Sequence, residues 1–407
     1  EGDTGTVVYD LKPIWLMSPL AVSDTIPLGE ERFDVVIFDE ASQIPLEEAV
    51  PTVYRAPQMI VVGDQMQLPP TSFFAAARSA DEGDDEDAER AEIHYDLESD
   101  SFLAHAARRL SSTLLGWHYR SRHEALIRFS NQAFYAGELR TVPDRLRPTT
   151  RPGIVVERAE QGDDHAAALL GRPISHHRLR HARYNNRENE AEAAYIAHLV
   201  RGLLRAESGK TIGVVAFSEA QQGTIEAALQ ALAGRDPAFR QQLDAEYERE
   251  EDGQLVGLFV KNLENVQGDE RDIIILSICY GPDATGKVRM NFGPINKGGG
   301  EKRLNVVFSR AKHHMAVVAS MDAGAITNEY NDGALCFRRY LHYAEAASVG
   351  DDVAAANVLR ALSRDQGRSR AVANTDGLVQ CLGDALAATG LHVGRGLGAS
   401  GFRVDLA

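Results

Sequence analysis

The chain alternates short apolar runs with longer stretches in which apolar residues recur at helical spacing. Residues 33–37, FDVVI, read as a strand buried on both faces. The same reading predicts strands at 13–19 (PIWLMSP), 58–62 (QMIVV), 114–119, 153–158, 211–217, 255–260 and 315–320, and the strongest at 272–280, DIIILSICY. Helical spacing is predicted at 46–54, 101–110, 121–135, 188–205, 219–232 and 303–312, with a short helix or loop at 20–28. The His- and Arg-rich segment 161–184 fits neither period. Strands alternating with helices of about 10–15 residues predict an α/β fold built on parallel sheets. The composition shifts across 348–370, which reads as a linker. The last block, 371–407, holds a predicted helix at 376–389 and a strand at 402–406, where the chain stops in what reads as mid-domain.

Length and charge refine this picture only a little. A chain of 407 residues can hold two or three domains, each with its own core. No apolar run approaches the ~20 residues of a membrane span, and the opening EGDTGTVVYD lacks the basic start and apolar core of a signal peptide. Cys279, Cys336 and Cys381 are too far apart for a metal-site spacing or a disulfide framework. These features predict a cytoplasmic protein with no membrane partner. The formal charge of −16 argues against a bulk electrostatic grip on nucleic acid, but acidic runs at 81–100 and 244–252 carry much of the excess. Nucleic-acid binding therefore stays open.

Candidate chemistry clusters at the ends of predicted strands. Asp39 and Glu40 follow the strand at 33–37, where ligands bind in open α/β sheets. One carboxylate there can hold the Mg²⁺ of a nucleoside triphosphate while its neighbour activates a water. The residues fit equally an acidic strand-to-helix turn with Asp39 as a helix cap. Gln67, in VGDQMQLPP, can sense a terminal phosphate, although a Gly-Asp turn before Pro-Pro is also common loop chemistry. In WHYRSRHE (117–124), Arg120 can serve as an arginine finger and Tyr119 can stack on a base. Gln267 and Gly268 suit a tight turn that approaches a ligand closely, and Glu270 can accept from a ribose hydroxyl. In RLNVVFSRAK (303–312), a helical reading carries Arg303, Arg310 and Lys312, with Arg310 as a second phosphate clamp.

Taken in order, DEAS at 39–42, GDQMQLPP at 63–70, HYRSR at 118–122, QGDER at 267–271 and RLNVVFSRAK at 303–312 resemble the superfamily 1 helicases. The resemblance is to the branch of the nonsense-mediated-decay and DNA-replication helicases, and it covers roughly residues 13–320. With NFGP at 291–294, it is nearest a bacterial group of large helicase-like proteins that often end in a restriction-endonuclease-like domain. It implies two RecA-like parallel-sheet domains, the first incomplete (1–112) and the second at 113–347. A linker (348–370) and the start of a Vsr-like endonuclease domain (371–407) would follow. It also implies ATP and Mg²⁺ as cofactors, with ATP between the two RecA-like domains, and single-stranded DNA in preference to RNA as partner. Asp39 would coordinate Mg²⁺, Glu40 polarise the water and Gln67 contact the γ-phosphate. Arg120 and Arg310 would be arginine fingers, Tyr119 would pack near the base, Glu270 near the ribose, and Ser18 would touch the nucleic-acid backbone. Asp405 would be a metal-binding carboxylate of the nuclease-like end.

The sequence also departs from the family pattern. His118 stands where Gln is usual before the Tyr-Arg pair, a feature of the bacterial group. No phosphate-binding loop is present: 281–287 satisfies G-x-x-x-x-G-K but Val288 follows, and Gly209-Lys210-Thr211 has Leu204 where the first glycine belongs and precedes a strand. The loop is expected upstream of Glu1, which would leave this chain alone with little ATP binding or hydrolysis. Two other functions fit the same motifs: an ATP-driven remodeller or switch in phage defence, and a nucleotide-free nucleic-acid-binding module.

Overall fold

The β-branched run VVI followed by Phe38 forms strand β1 (Val35–Phe38), and QMIV forms β2 (Gln58–Val61). The two pair in parallel with Phe38 opposite Val61. A parallel pair needs a crossover, which passes through helix α2 (Leu46–Val53). This is the computed structural model, and it describes residues 9–28, 33–70, 101–144, 149–365, 377–391 and 393–406. The chain divides into two units, Glu1–Leu114 and Leu115–Ala407.

In the first unit, Phe38, Ala41, Ala49 and Phe102 form the core under the strand pair, with the Phe38 and Phe102 rings 4.5 Å apart. Helix α1 (Pro19–Thr25) starts at Ser18, whose hydroxyl accepts the amide of Ala21 at 3.2 Å. Helix α3 (Phe102–Ala107) starts in the same way at Ser101. The strand expected at 13–19 does not form: 12–18 are irregular, with Ile14 and Leu16 exposed. The acidic insertion at 81–100 lies outside the described residues.

The second unit is organised by a six-stranded parallel sheet. Its strands are β3 (Ile154–Val156), β4 (Ile174–Leu179), β5 (Ile212–Ala216), β6 (Phe259–Asn262), β7 (Arg271–Ser277) and β8 (Ala311–Ala319). Their order across the sheet is β3-β4-β8-β7-β5-β6. Alternate residues of a strand face opposite sides, and in β7 Ile273, Ile274, Ile275 and Leu276 are all fully buried. Helices therefore cover both faces. Helices α5 (Gly162–Leu170), α6 (Glu190–Arg205), α7 (Glu219–Arg235) and α8 (Pro237–Tyr247) share one core with Ile273, Ile275, Ala316 and Val318. Elsewhere in the unit, α4 (Glu124–Phe134), α9 (Gly300–Phe308) and α10 (Asp332–Val349) meet through Phe129, Phe308 and Tyr340.

Several expectations are corrected in this unit. Residues 114–119 form no strand; Trp117 makes a single bridge to Arg140. The strand expected at 255–260 begins at Phe259, while Gln254–Leu255 pairs with Glu250–Glu251 in a small hairpin. The helix expected through 312 ends at Phe308, so Arg310 lies in a turn and Lys312 on β8. The segment 161–184 holds α5 and β4. Within the expected linker, Asp352–Asp365 is a helix, α11, that packs on α10. The last block comprises α12 (Gly377–Ala388) and an antiparallel hairpin of β9 (Arg395–Leu397) and β10 (Val404–Leu406). Among the described residues no helix is long and apolar enough to cross a membrane.

Candidate functional site

The first unit places Asp39 and Glu40 in the turn that leaves β1. That turn is laced to the end of β2 by Val62 N to Phe38 O at 2.8 Å and Ala41 N to Val62 O at 2.9 Å. Glu40 has φ 50°, a left-handed conformation rare outside glycine and costly for a glutamate. Asp39 Oδ1 accepts the Glu40 amide at 2.9 Å, which holds the turn. Helix α2 begins at Leu46 with Pro45 in the cap position, so Asp39 does not cap it. Of the two roles open for the pair, the capping one is gone.

Gly63 brings the second stretch against the first. A Cβ there would lie 3.1 Å from the backbone nitrogens of both Ala41 and Ser42, closer than most side chains come, so the absence of a side chain permits the approach. Asp64 then does two things. Its Oδ1 accepts the Met66 amide at 2.8 Å and its Oδ2 accepts Gln67 Nε2 at 2.9 Å. The Gln67 amide is thereby oriented by a carboxylate that sequence reading had passed over; the signal was an Asp three residues ahead of the Gln. Ser18, with its hydroxyl on the Ala21 amide, acts as a helix cap.

The second unit assembles its candidates at the N-terminal edge of the sheet. The loop carrying Arg120 is anchored to β8: Arg122 N donates to Lys312 O at 2.8 Å and Ser121 Oγ to Ala311 O at 3.3 Å. Arg120 Nε donates to Glu270 Oε2 at 2.6 Å, and Lys312 Nζ lies 2.9 Å from Glu270 Oε1. Burial opposes ionisation of Glu270, but hydrogen bonds from Lys312 and Arg120 outweigh it, and its carboxyl sits below the usual range. His118 Nε2 accepts the Ser121 amide at 3.1 Å. Burial, with the Arg120 charge beside it, pushes that imidazole down to about 4, so at neutral pH it is uncharged with its proton on Nδ1. Tyr119 is 92% exposed, its ring open to stacking.

Gln267 is half-buried in the loop between β6 and β7. Gly268 has φ +86° with open space around it, so backbone conformation requires the glycine there. Arg310 is 2% exposed and turned back on its own helix, Nε to Val306 O at 2.7 Å. Lys312, read from the sequence as a helical residue, is the partner of Glu270 because β8 starts at Ala311. Asp405 stands exposed on β10. Among the described residues no group of three or more His, Cys, Asp or Glu is arranged to hold a metal ion.

Asp39 and Glu40 fit Mg²⁺ and a nucleotide chemically: the cation commonly takes one or two carboxylates and fills its remaining positions with water and phosphate oxygens. The AAA domain family model matches residues 99–322. An uncharacterized ATP-dependent helicase of Mycoplasma pneumoniae is 33% identical over 83% of this chain and 28% of its own length. The DNA-binding protein SMUBP-2 of Rattus norvegicus is 23% identical over 74% of this chain and 26% of its own. Helicase sen1 of Schizosaccharomyces pombe is 24% identical over 74% of this chain and 15% of its own. The chain thus spans under a third of the length of these curated relatives. The chain belongs to the AAA domain family, and its ordered motifs place it with the superfamily 1 helicases of the nonsense-mediated-decay and DNA-replication branch.

Proposed function

We propose that this chain is part of an ATP-dependent helicase or translocase that moves along single-stranded nucleic acid, DNA in preference to RNA. The observation that carries the reading is the pairing in the first unit. Asp39 and Glu40 leave a parallel strand, and Gly63 packs the Asp64–Gln67 turn against them. An ordinary loop has no need of a strained glutamate held by its neighbour's carboxylate.

In this proposal Asp39 is the cation ligand and Glu40 accepts a proton from the attacking water. Gln67, its amide set by Asp64, reads the terminal phosphate. Arg120 stabilises charge that develops on the transferred group, and Glu270, itself paired with Lys312, holds the guanidinium beside the start of β7 and β8. Arg310 acts from its buried turn as a second positive charge. Tyr119 offers an aromatic face to a base. Bound ATP and Mg²⁺ supply the bond to be cleaved and the neutralisation of its charge. Hydrolysis of the bound nucleotide drives conformational steps that move the protein along its strand.

The test is strand displacement by the full-length protein on a duplex with a single-stranded tail, with ATP turnover measured in parallel. ATP-dependent displacement supports the reading. Turnover without displacement would leave a remodeller, and neither would leave a binding module.

A further inference from the structure

The turn of the C-terminal hairpin seats on the segment that carries Arg120. Ser400 is 2% exposed and its Oγ accepts the Thr141 amide at 3.0 Å. The Ala399 amide donates to Glu124 Oε1 at 2.9 Å, and the same oxygen accepts the Thr141 hydroxyl. The Phe402 ring lies 5.2 Å from Trp117. Trp117 is in turn bridged to Arg140, with His118 N to Arg140 O at 2.9 Å and Arg140 N to Gly116 O at 2.6 Å.

Arg120 therefore sits in a short loop pinned at both ends. One end is tied to the first residues of β8 through Ser121 and Arg122. The other rests on the Trp117–Arg140 bridge, and the hairpin braces that bridge through Phe402, Ser400 and the buried Glu124. A half-exposed guanidinium gains catalytic value only if it is held near one geometry. We infer that the C-terminal hairpin is a brace acting in cis on Arg120, with Phe402, Ser400 and Glu124 as positioning residues, so that the C-terminal block sets the rate of phosphoryl transfer. The inference rests on the role given to Arg120 above.

The test uses the full-length protein at saturating single-stranded nucleic acid and compares Phe402→Ala, Phe402→Leu, Ser400→Ala, Arg120→Ala and the double variant Arg120→Ala/Phe402→Ala. Phe402→Ala is expected to lower kcat for ATP about tenfold, as small displacements of a catalytic group do, with KM within about twofold. Phe402→Leu restores most of that rate, and Ser400→Ala, which removes a hydroxyl without a change of volume, shifts kcat in the same direction. In the Arg120→Ala background the Phe402 substitution adds nothing. An unchanged kcat in both Phe402→Ala and Ser400→Ala, or a loss that persists without Arg120, overturns the brace. Wild-type turnover that Arg120→Ala leaves intact overturns the role of Arg120, and the brace with it.

Discussion

Arg120 donates its Nε–H to Glu270 at 2.6 Å, joining two residues 150 positions apart. Lys312 stands on the other oxygen of the same carboxylate at 2.9 Å. Under the proposed mechanism Glu270 positions Arg120, besides any contact with a ribose. Glu270→Gln keeps the shape and removes the charge that fixes the guanidinium. It should lower kcat for ATP in the full-length protein about tenfold, against about 10³-fold for Arg120→Ala. The double variant should be no slower than Arg120→Ala, because the two act as one unit. Additive losses would separate them.

The left-handed backbone at Glu40 predicts a trade between stability and function. Glycine adopts φ near 50° without strain, so Glu40→Gly should melt no lower than wild type, with a gain of up to about 1 kcal/mol. ATP hydrolysis in the full-length protein should be lost all the same. A variant that melts well below wild type would show that the Glu40 side chain stabilises the turn.

Glu192 makes the second unit sensitive to pH. Its carboxyl is fully buried among Ser320, Ser277 and the Cys279 amide. Burial pushes its pKa up to about 7, against the pull of those hydrogen bonds. A raised folded-state pKa stabilises most below the unfolded value, and the contribution is lost as pH rises through about 7. At about 1.4 kcal/mol per pKa unit the loss is about 3 kcal/mol. Denaturant unfolding at pH 5 and pH 8 should show that fall in wild type and a flatter profile in Glu192→Gln. Parallel profiles would contradict it.

Helices α5 and α6 cross with their backbones nearly touching. A Cβ on Gly162 would lie 2.6 Å from Leu199 N, and one on Gly202 would lie 2.6 Å from Asp163 O. Gly162→Ala should cost about 2–3 kcal/mol by overpacking, read as a lower denaturation midpoint with an unchanged slope. A midpoint equal to wild type would mean the helices separate freely.

What the sequence made legible follows from local chemistry. The β-branched run of β7 and the helical spacing of α6 lie close to where periodicity predicts them. Strand β4 was opaque because ISHHRL is polar. Its buried His177 is satisfied by Ser175 Oγ at 2.8 Å and by Tyr195 Oη at 2.6 Å, the latter a partner on another element. Lys312 was misplaced for a related reason: RLNVVFSRAK keeps a helical period, but pairing with β7 takes over from Ala311. Helix α11 was hidden by its alanines and charges and is fixed by the burial of Leu359 and Leu362. Residues 13–19 read as a strand on composition, yet their apolar side chains are largely exposed. In the site, the motif residues are visible in the sequence, and so in principle is Asp64, three residues ahead of Gln67, whereas Lys312 beside Glu270 emerges only from tertiary pairing.

The central claim is that Glu40 activates water in an ATP-driven motor. The most direct measurement is ATP hydrolysis by the full-length protein, with and without single-stranded DNA or RNA, beside Glu40→Gln. Turnover stimulated by one polymer and reduced by orders of magnitude in the variant, with nucleotide binding retained, is the predicted result. A full-length protein without stimulated turnover, or a variant as fast as wild type, would contradict it.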